Sequence, residues 1–175
     1  MTTILGKAVL ASPIGPLVAI ASGRGLCVLE FEREGRMDWL WKRLQTHYGR
    51  LEVTEDARPV LDATRRWLDS YLANPHAAAV EVPLDLWGTE FELSVWQAIN
   101  RVPCGELASY GQIAAGLNRP SSARAVGGAT GRNPVALVIP CHRVIGTDGS
   151  ITGYGGGLDR KRWLLTHEGV IGRIR

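Results

Sequence analysis

Near the end of an apolar run, the stretch Ile139-Pro140-Cys141-His142-Arg143-Val144 sets a thiol beside an imidazole, between a proline and an arginine. The thiolate is the nucleophilic form of cysteine, and a neighbouring base or cation makes it accessible near neutral pH. Adjacent side chains point apart, so His142 is expected to reach the sulfur through a bridging water. Glu168, close to the C-terminus, is the carboxylate that can orient this imidazole, the third role in a Cys–His–acid set. Cys27 reads instead as a buried structural residue. No CxxC pair accompanies the three widely spaced cysteines Cys27, Cys104 and Cys141, so neither a zinc site nor a disulfide framework is expected. His47 and His76 lack acidic or cysteine neighbours at ligand spacing and read as surface or packing residues. Residues 153–157, Gly-Tyr-Gly-Gly-Gly, precede no βαβ unit and look like a flexible wall beside the cysteine rather than a nucleotide loop.

The elements that must position Cys141 lie on either side of it. Thr89 with Glu92 has capping-box spacing before Phe91, Val95, Trp96 and Ile99, which predicts a helix ending near Val102. A second helix is predicted over 109–117, capped by Ser109, and a third over 121–131, capped by Ser121. So tight a link as Asn118-Arg119-Pro120 suggests a helix-turn-helix. Ser122, Ala123, Ala125, Gly127, Gly128 and Ala129 give the third helix almost no bulk, with Arg124 its one long side chain before Arg132. Helical glycines cost about 0.8–1.0 kcal/mol each against alanine. A backbone that settles into the narrow minor groove of DNA would offset that cost, and close packing on a neighbouring helix is an equal alternative. Residues 135–139 read as a buried strand between Pro134 and Pro140. A hairpin is predicted around Gly146-Thr147-Asp148-Gly149, and a last helix, capped by Asp159, through 161–167.

The first half shows no comparable chemistry. Turns at Pro13-Ile14-Gly15-Pro16 and Ser22-Gly23-Arg24-Gly25 separate three short strand candidates, an antiparallel meander. Helices are predicted over 37–48, closed by Gly49, and over 58–72; Trp39, Trp41 and Trp67 on them read as packing. Residues 77–85 read as an edge strand or linker, which places a domain boundary at about 83–89 and gives units 1–85 and 86–175. The fold class is therefore α/β in the α+β sense: a small N-terminal domain with an antiparallel sheet and helices, then a mostly helical domain.

A chain of 175 residues holds one large or two small domains, and its composition is that of a globular protein. No apolar run is long enough for a membrane span, and no secretory signal opens the chain. Net charge is +3, unevenly spread: residues 1–88 carry 10 basic and 11 acidic side chains, residues 89–175 carry 10 and 6. The basic excess sits in the half that holds Cys141, which fits a polyanionic partner. Free thiols suit a reducing cytosol.

These motifs together resemble the O6-alkylguanine-DNA alkyltransferases, or methylated-DNA–protein-cysteine methyltransferases, and among them the bacterial Ogt-like members. The resemblance rests on Ile139-Pro140-Cys141-His142-Arg143-Val144, on Ala123-Arg124-Ala125-Val126-Gly127, on Tyr154-Gly155-Gly156, and on Trp163-Leu164-Leu165 with His167-Glu168-Gly169, in the family's order and spacing over about 89–169. It implies direct-reversal repair: the protein binds the minor groove of double-stranded DNA, flips O6-alkylguanine (also O4-alkylthymine), and transfers the alkyl group irreversibly to Cys141. His142 would be the base through water, Glu168 its partner, and Asn133 the brace of the turn around the cysteine. The pocket would comprise Tyr110, Val144, Tyr154, Gly155 and Gly156, with the carbonyls of Cys141 and Val144 accepting from the guanine amine and the Gly155 N–H reaching O6. Arg124 would enter the duplex in place of the flipped base, and Ser121, Ser122, Ala123, Ala125, Gly127, Gly128 and Arg132 would face DNA. Some members carry serine where this chain has Gly155, which leaves the backbone donor and makes the wall roomier. No cofactor or metal is implied, and a monomer of the bacterial cytosol, associated with the nucleoid when bound to DNA, is expected. The rival readings are an alkylated-DNA binding protein without transfer activity and a cysteine hydrolase, which would want an oxyanion hole.

Overall fold

The computed structural model describes residues 2–55, 59–78 and 81–170, which fall into two compact units, Met1–Trp87 and Gly88–Arg175. In the first, strands β1 (Thr3–Leu10), β2 (Leu17–Ala21) and β3 (Leu26–Phe31) form the expected antiparallel meander. Every residue of β2 and β3 is buried, so both faces of the sheet are covered at these two strands. Helix α1 (Arg36–Tyr48) packs Leu40 and Leu44 against Leu5, Val18, Ile20 and Val28, with Trp39 and Trp41 partly buried at the margin. Helix α2 (Pro59–Ala73) packs on β1, β2 and β3 through a face that buries Leu61, Trp67, Leu68 and Tyr71. Arg58, where this helix was expected to begin, lies outside the described residues.

The sheet differs from expectation in one strand. β4 (Leu51–Thr54) pairs parallel to β1, so the order is β3-β2-β1-β4 and the sheet is mixed. Four residues are too few for their alternation to stand out in the sequence. Of the stretch expected as an edge strand or linker, 79–80 lie outside the described residues, and Leu84 makes a single parallel bridge to Leu26. Gly25 permits that approach, because a Cβ there would sit 2.7 Å from the Leu84 carbonyl carbon. Asp85 is then held by Ser22, Arg24 and Tyr48, and Cys27 is fully buried beside Tyr48.

The second unit is mostly helical. Helix α3 (Glu90–Asn100) begins with the expected capping box: Thr89 accepts from the Glu92 N–H, and the Glu92 carboxylate accepts from the Thr89 N–H. Strand β5 (Ala108–Ser109) leads into α4 (Tyr110–Gly116), where Ser109 and Gln112 form a second capping box. A 3₁₀ turn over Pro120–Ser122 connects α4 to α5 (Ala123–Gly131), completing a helix-turn-helix. Ser121 is therefore not the cap of α5. Its place is inside the 3₁₀ turn, and Ser122 at the cap position makes no side-chain bond.

Residues 135–139 form a tight buried turn instead of a strand. An isolated bridge joins Ala136 to Ile139, Val138 N–H bonds Ala136 O at 2.8 Å, and Leu137 adopts φ 68°. Apolar composition reports burial and does not separate a strand from a turn packed inside the protein. The anticipated hairpin is also shorter than a hairpin. Strand β6 (Val144–Ile145) pairs parallel with β5, while Gly146 N–H returns to Ser150 O to close the turn. The last helix, α6 (Leu158–His167), starts after Gly157 at φ 94° with no side-chain cap, so Asp159 lies in its first turn and does not cap it. Residues 171–175 lie outside the described residues.

Candidate active site

A short 3₁₀ turn, Cys141–Arg143, carries the cysteine, and the polar groups around it are fixed one by one by their neighbours. Asn133 is buried at the end of the α5 segment. Its amide nitrogen donates to Ile139 O at 2.9 Å and its amide oxygen accepts from Val135 N–H at 2.9 Å. One side chain thus ties both ends of the turn that delivers Cys141, and that turn holds Leu137 in the left-handed region, which leucine avoids elsewhere. Trp96 of α3 donates to Ala129 O at 2.9 Å, fixing the C-terminal part of α5 beside it.

Behind the cysteine runs a closed chain of charges. His142 is fully buried, and its Nε2 lies 2.8 Å from Glu168 Oε1. Arg143 grips the same carboxylate through Nε at 2.9 Å and Nη2 at 3.0 Å, and its Nη1 donates to Val102 O at 2.6 Å. Burial alone would push the Glu168 carboxyl up, but the bond from His142 and the paired Arg143 guanidinium hold it well below the ordinary carboxylate range. Burial lowers the imidazole, Glu168 opposes that, and the charges of Arg143 and Lys161 add to it, so the net shift is downward. His142 is therefore neutral near pH 7. With Nε2–H donated to the carboxylate, Nδ1 carries the free lone pair, and it is buried with no hydrogen-bond partner. A buried, unsatisfied acceptor next in sequence to a thiol is a place for a proton or a water.

Cys141, itself 8% exposed, opens onto a cleft of about 180 Å³ lined by Tyr110, Gly127, Thr130, Gly131, Gly153, Tyr154 and Gly155. Two elements set these walls. Pairing of β5 with β6 puts Tyr110, the first residue of α4, opposite the cysteine segment. The Gly153–Gly155 stretch forms the other wall, with Gly153 at φ 36°. The Tyr110 hydroxyl is pushed up, first by burial and further by the Cys141 charge, with a Thr152 hydrogen bond opposing. It stays a phenol at neutral pH, able to donate.

Most of the side chains singled out from sequence gather here. Cys141, His142, Glu168 and Asn133 form one connected group, and Tyr110, Tyr154 and Gly155 line the cleft. Val144 and Gly156 are buried behind it, with their carbonyls accepting from Lys161 and Arg160. On α5, Arg124, Ala125 and Gly128 are exposed, as is Ser121 ahead of it, while Ser122, Ala123 and Gly127 are half-buried. Arg132, expected to face DNA, is drawn back to α3 by Glu92 at 2.5 Å. The glycines of α5 are not demanded by packing inside the protein. A Cβ at Gly128 would meet only the Arg132 guanidinium at 3.3 Å, one at Gly127 would touch the Tyr110 ring at 3.7 Å, and one at Gly131 would meet nothing within 4 Å.

Sequence reasoning missed Arg143 as the second hand on Glu168, Thr130 and Gly131 as cleft residues, and Lys161. Arg143 stands next to the cysteine and His142 in the sequence, and Glu168 was already the acid assigned to that imidazole. Lys161 sits in a charged run, Asp159-Arg160-Lys161-Arg162, that gives no sign of which residue turns inward. Among the described residues no cluster of three or more His, Cys, Asp or Glu side chains could hold a metal ion, and no helix is long and apolar enough to cross a membrane.

Comparison with known proteins agrees along the whole chain. Residues 5–86 match the ribonuclease-like domain of 6-O-methylguanine DNA methyltransferase, and residues 90–170 match its DNA binding domain. The methylated-DNA–protein-cysteine methyltransferase of Salmonella typhimurium is 42% identical over 164 residues, covering 93% of this chain and 94% of that protein. Its counterpart in Mycobacterium tuberculosis is 42% identical over 157 residues, covering 90% and 88%. The crystal structure of Mycobacterium tuberculosis OGT in complex with DNA superposes with a TM-score of 0.75 at 37% identity, covering 98% of this chain and 94% of that one. The O6-methylguanine-DNA methyltransferase of the archaeon Pyrococcus kodakaraensis gives 0.64 at 29%, covering 95% and 99%.

Proposed function

This chain belongs to the methylated-DNA–protein-cysteine methyltransferases, and from that premise we propose how its own residues perform the transfer. The protein repairs alkylated DNA by direct reversal, moving the alkyl group onto one of its cysteines in a single turnover. Cys141 is the acceptor. Its thiol proton passes through one water to His142 Nδ1, and Glu168, steadied by Arg143, stabilises the imidazolium that forms. The sulfur then attacks the alkyl carbon in line: the S–C bond forms as the bond from carbon to guanine O6 breaks, and the electron pair leaves with the base. Tyr110 at the cleft wall donates to the departing guanine ring, and the Gly155 N–H serves the O6 atom. The product is a thioether, which water does not cleave.

The observation that carries this assignment is the buried, partnerless Nδ1 of His142, the residue that follows a cysteine opening onto the cleft. The binding reading rests on α5. Its exposed strip of Arg124, Ala125 and Gly128 is nearly bare of side chains, and its glycines have no packing reason to be there. This strip enters the minor groove of double-stranded DNA, with Arg124 filling the gap left by the flipped nucleotide. O4-alkylthymine fits the same chemistry as a second substrate. The protein acts as a monomer in the cytosol, with residues 1–85 a structural domain and 86–175 the domain that carries the reactive residues.

Substituting the sulfur is the direct test. Cys141→Ser should abolish transfer from duplex O6-methylguanine while DNA affinity stays within about twofold, because a hydroxyl ionises far less readily than a thiol. Transfer surviving in the serine variant would mean that another residue accepts the alkyl group.

A further inference from the structure

Two arginines bracket α5. Arg119 immediately precedes the 3₁₀ turn that leads into the helix, and Arg132 is the residue on which the helix closes. Both are held by the first turn of α3. The Arg119 guanidinium lies over the Phe91 ring, 5.5 Å from its centroid, and Arg132 Nε donates to Glu92 Oε1 at 2.5 Å. Phe91 and Glu92 are adjacent, so one turn of one helix fixes a cation at each end of α5. One turn beyond Glu92, Trp96 ties the same helix to α5 through Ala129 O.

The fork of Arg132 lies on the bare strip itself. A Cβ at Gly128 would meet Nη1 at 3.3 Å and Nη2 at 3.8 Å, so the guanidinium runs back along α5 over an exposed glycine. The bond to Glu92 uses one of the five N–H donors of a guanidinium, and the side chain is 43% exposed. Among the described residues the two Nη groups have no further partner, which leaves them open to a second anion. Arg119 is exposed, and contact with a ring orients it without neutralising its charge. A long side chain ordered in advance loses less entropy on binding, and a planar fork suits a phosphate better than a point charge does.

We propose that Arg119 and Arg132 form a phosphate clamp: as the bare strip of α5 enters the minor groove, the two pre-ordered guanidiniums grip the sugar–phosphate backbone of the duplex, with Phe91 and Glu92 as the positioning residues that hold them in place. The clamp fixes where the protein sits without reading base sequence, a task separate from that of Arg124, which acts on the flipped nucleotide. It rests on α5 being the helix that enters the groove, and the experiment keeps the two ideas apart.

Affinity for two undamaged duplexes of unrelated sequence is measured against salt for the parent, Arg119→Gln, Arg132→Gln and the double variant. The slope of log affinity against log salt should become shallower by about 1 for each arginine removed and by about 2 for both, since each neutralised phosphate releases about 0.9 of a counterion. At about 0.1 M salt, affinity should fall by about fivefold or more per arginine, and equally on both duplexes. Reaction with free O6-benzylguanine should keep the parent rate, because neither residue lines the cleft. Arg66→Gln, the same loss of charge at an exposed position on α2, should keep the parent slope. A fall there equal to the others would mean that the slope reports net charge, and would overturn the clamp. Folded Arg119→Gln and Arg132→Gln proteins with the parent slope overturn it as well, since cations that only staple α3 to α5 change melting and not counterion release. Should Arg132→Gln not fold, Arg132→Lys decides for that residue: the slope should stay and affinity should fall with the lost fork, and parent affinity overturns its part. Ala125→Glu sets an acid on the exposed strip and tests the premise. Duplex binding at the parent level in that variant would mean that α5 does not enter the groove; binding lost there, with both arginine slopes unchanged, removes the clamp alone.

Discussion

His142 and Glu168 form one buried hydrogen-bonded pair, and the relay proposed through it should be visible in both rate and stability. His142→Ala should slow single-turnover transfer by about 10²-fold or more, the scale of a lost general base, and Glu168→Gln by somewhat less. The check is the rate against pH for each variant, with circular dichroism to show that both remain folded. Stability should follow pH as well. The imidazole is lowered in the folded state, so the unfolded chain takes up a proton first, and stability falls as pH drops below about 6.5. The Glu168 carboxyl is also lowered, so its contribution is present above about 4.3 and is lost as pH falls further. Urea midpoints measured against pH should show both stages, and Glu168→Gln should lack the second. Asn133→Ala removes two bonds and leaves the buried Val135 N–H and Ile139 C=O without them, so it should destabilise by about 2–4 kcal/mol and slow transfer by releasing the cysteine turn.

At the scale of elements, α5 carries glycines that packing inside the protein does not require. Gly128→Ala should leave the fold as stable or raise it by up to about 1 kcal/mol, since the added Cβ meets only the far end of the Arg132 side chain. It should nonetheless weaken binding to duplex DNA, because the methyl group lies on the exposed strip. Melting and a binding titration on the same variant separate the two effects. Arg124→Ala should slow repair in duplex DNA by about 10-fold or more while leaving reaction with free O6-benzylguanine nearly unchanged, since it removes an aid to flipping worth about a kcal/mol or more and not a part of the cleft. Equal losses on both substrates would place Arg124 in the pocket or the fold instead. The helices were legible because their signals are local: the Thr89–Glu92 box and the Ser109 cap are both found where the sequence puts them. The turn at 135–139 was not, because Val, Ala, Leu, Val and Ile state burial and leave conformation open, and the decisive residue, Asn133, acts from outside the run. Caps at Ser121 and Asp159 failed for a related reason. A preceding 3₁₀ turn and a positive-φ glycine took over the helix starts.

For the molecule as a whole, the basic excess lies in residues 89–175, where basic side chains outnumber acidic ones by 10 to 6. Affinity for duplex DNA should therefore fall steeply with salt and depend little on base sequence outside the lesion, as counterion release dictates. A salt series on two unrelated duplexes checks this. That Cys141, His142 and Glu168 belong to one site was legible in the sequence, because thiol, imidazole and carboxylate stand within recognisable motifs. The buried cations around them were not: Arg143 and Lys161 look like surface cations until the fold turns them inward. The most direct test of the whole account is to mix the protein with excess duplex DNA bearing O6-[³H-methyl]guanine and to map the label. Label is expected on Cys141 alone, reaching one methyl group per chain and no more, with unmodified guanine left in the DNA. Label on Cys27 or Cys104, or continued turnover beyond one equivalent, would contradict it.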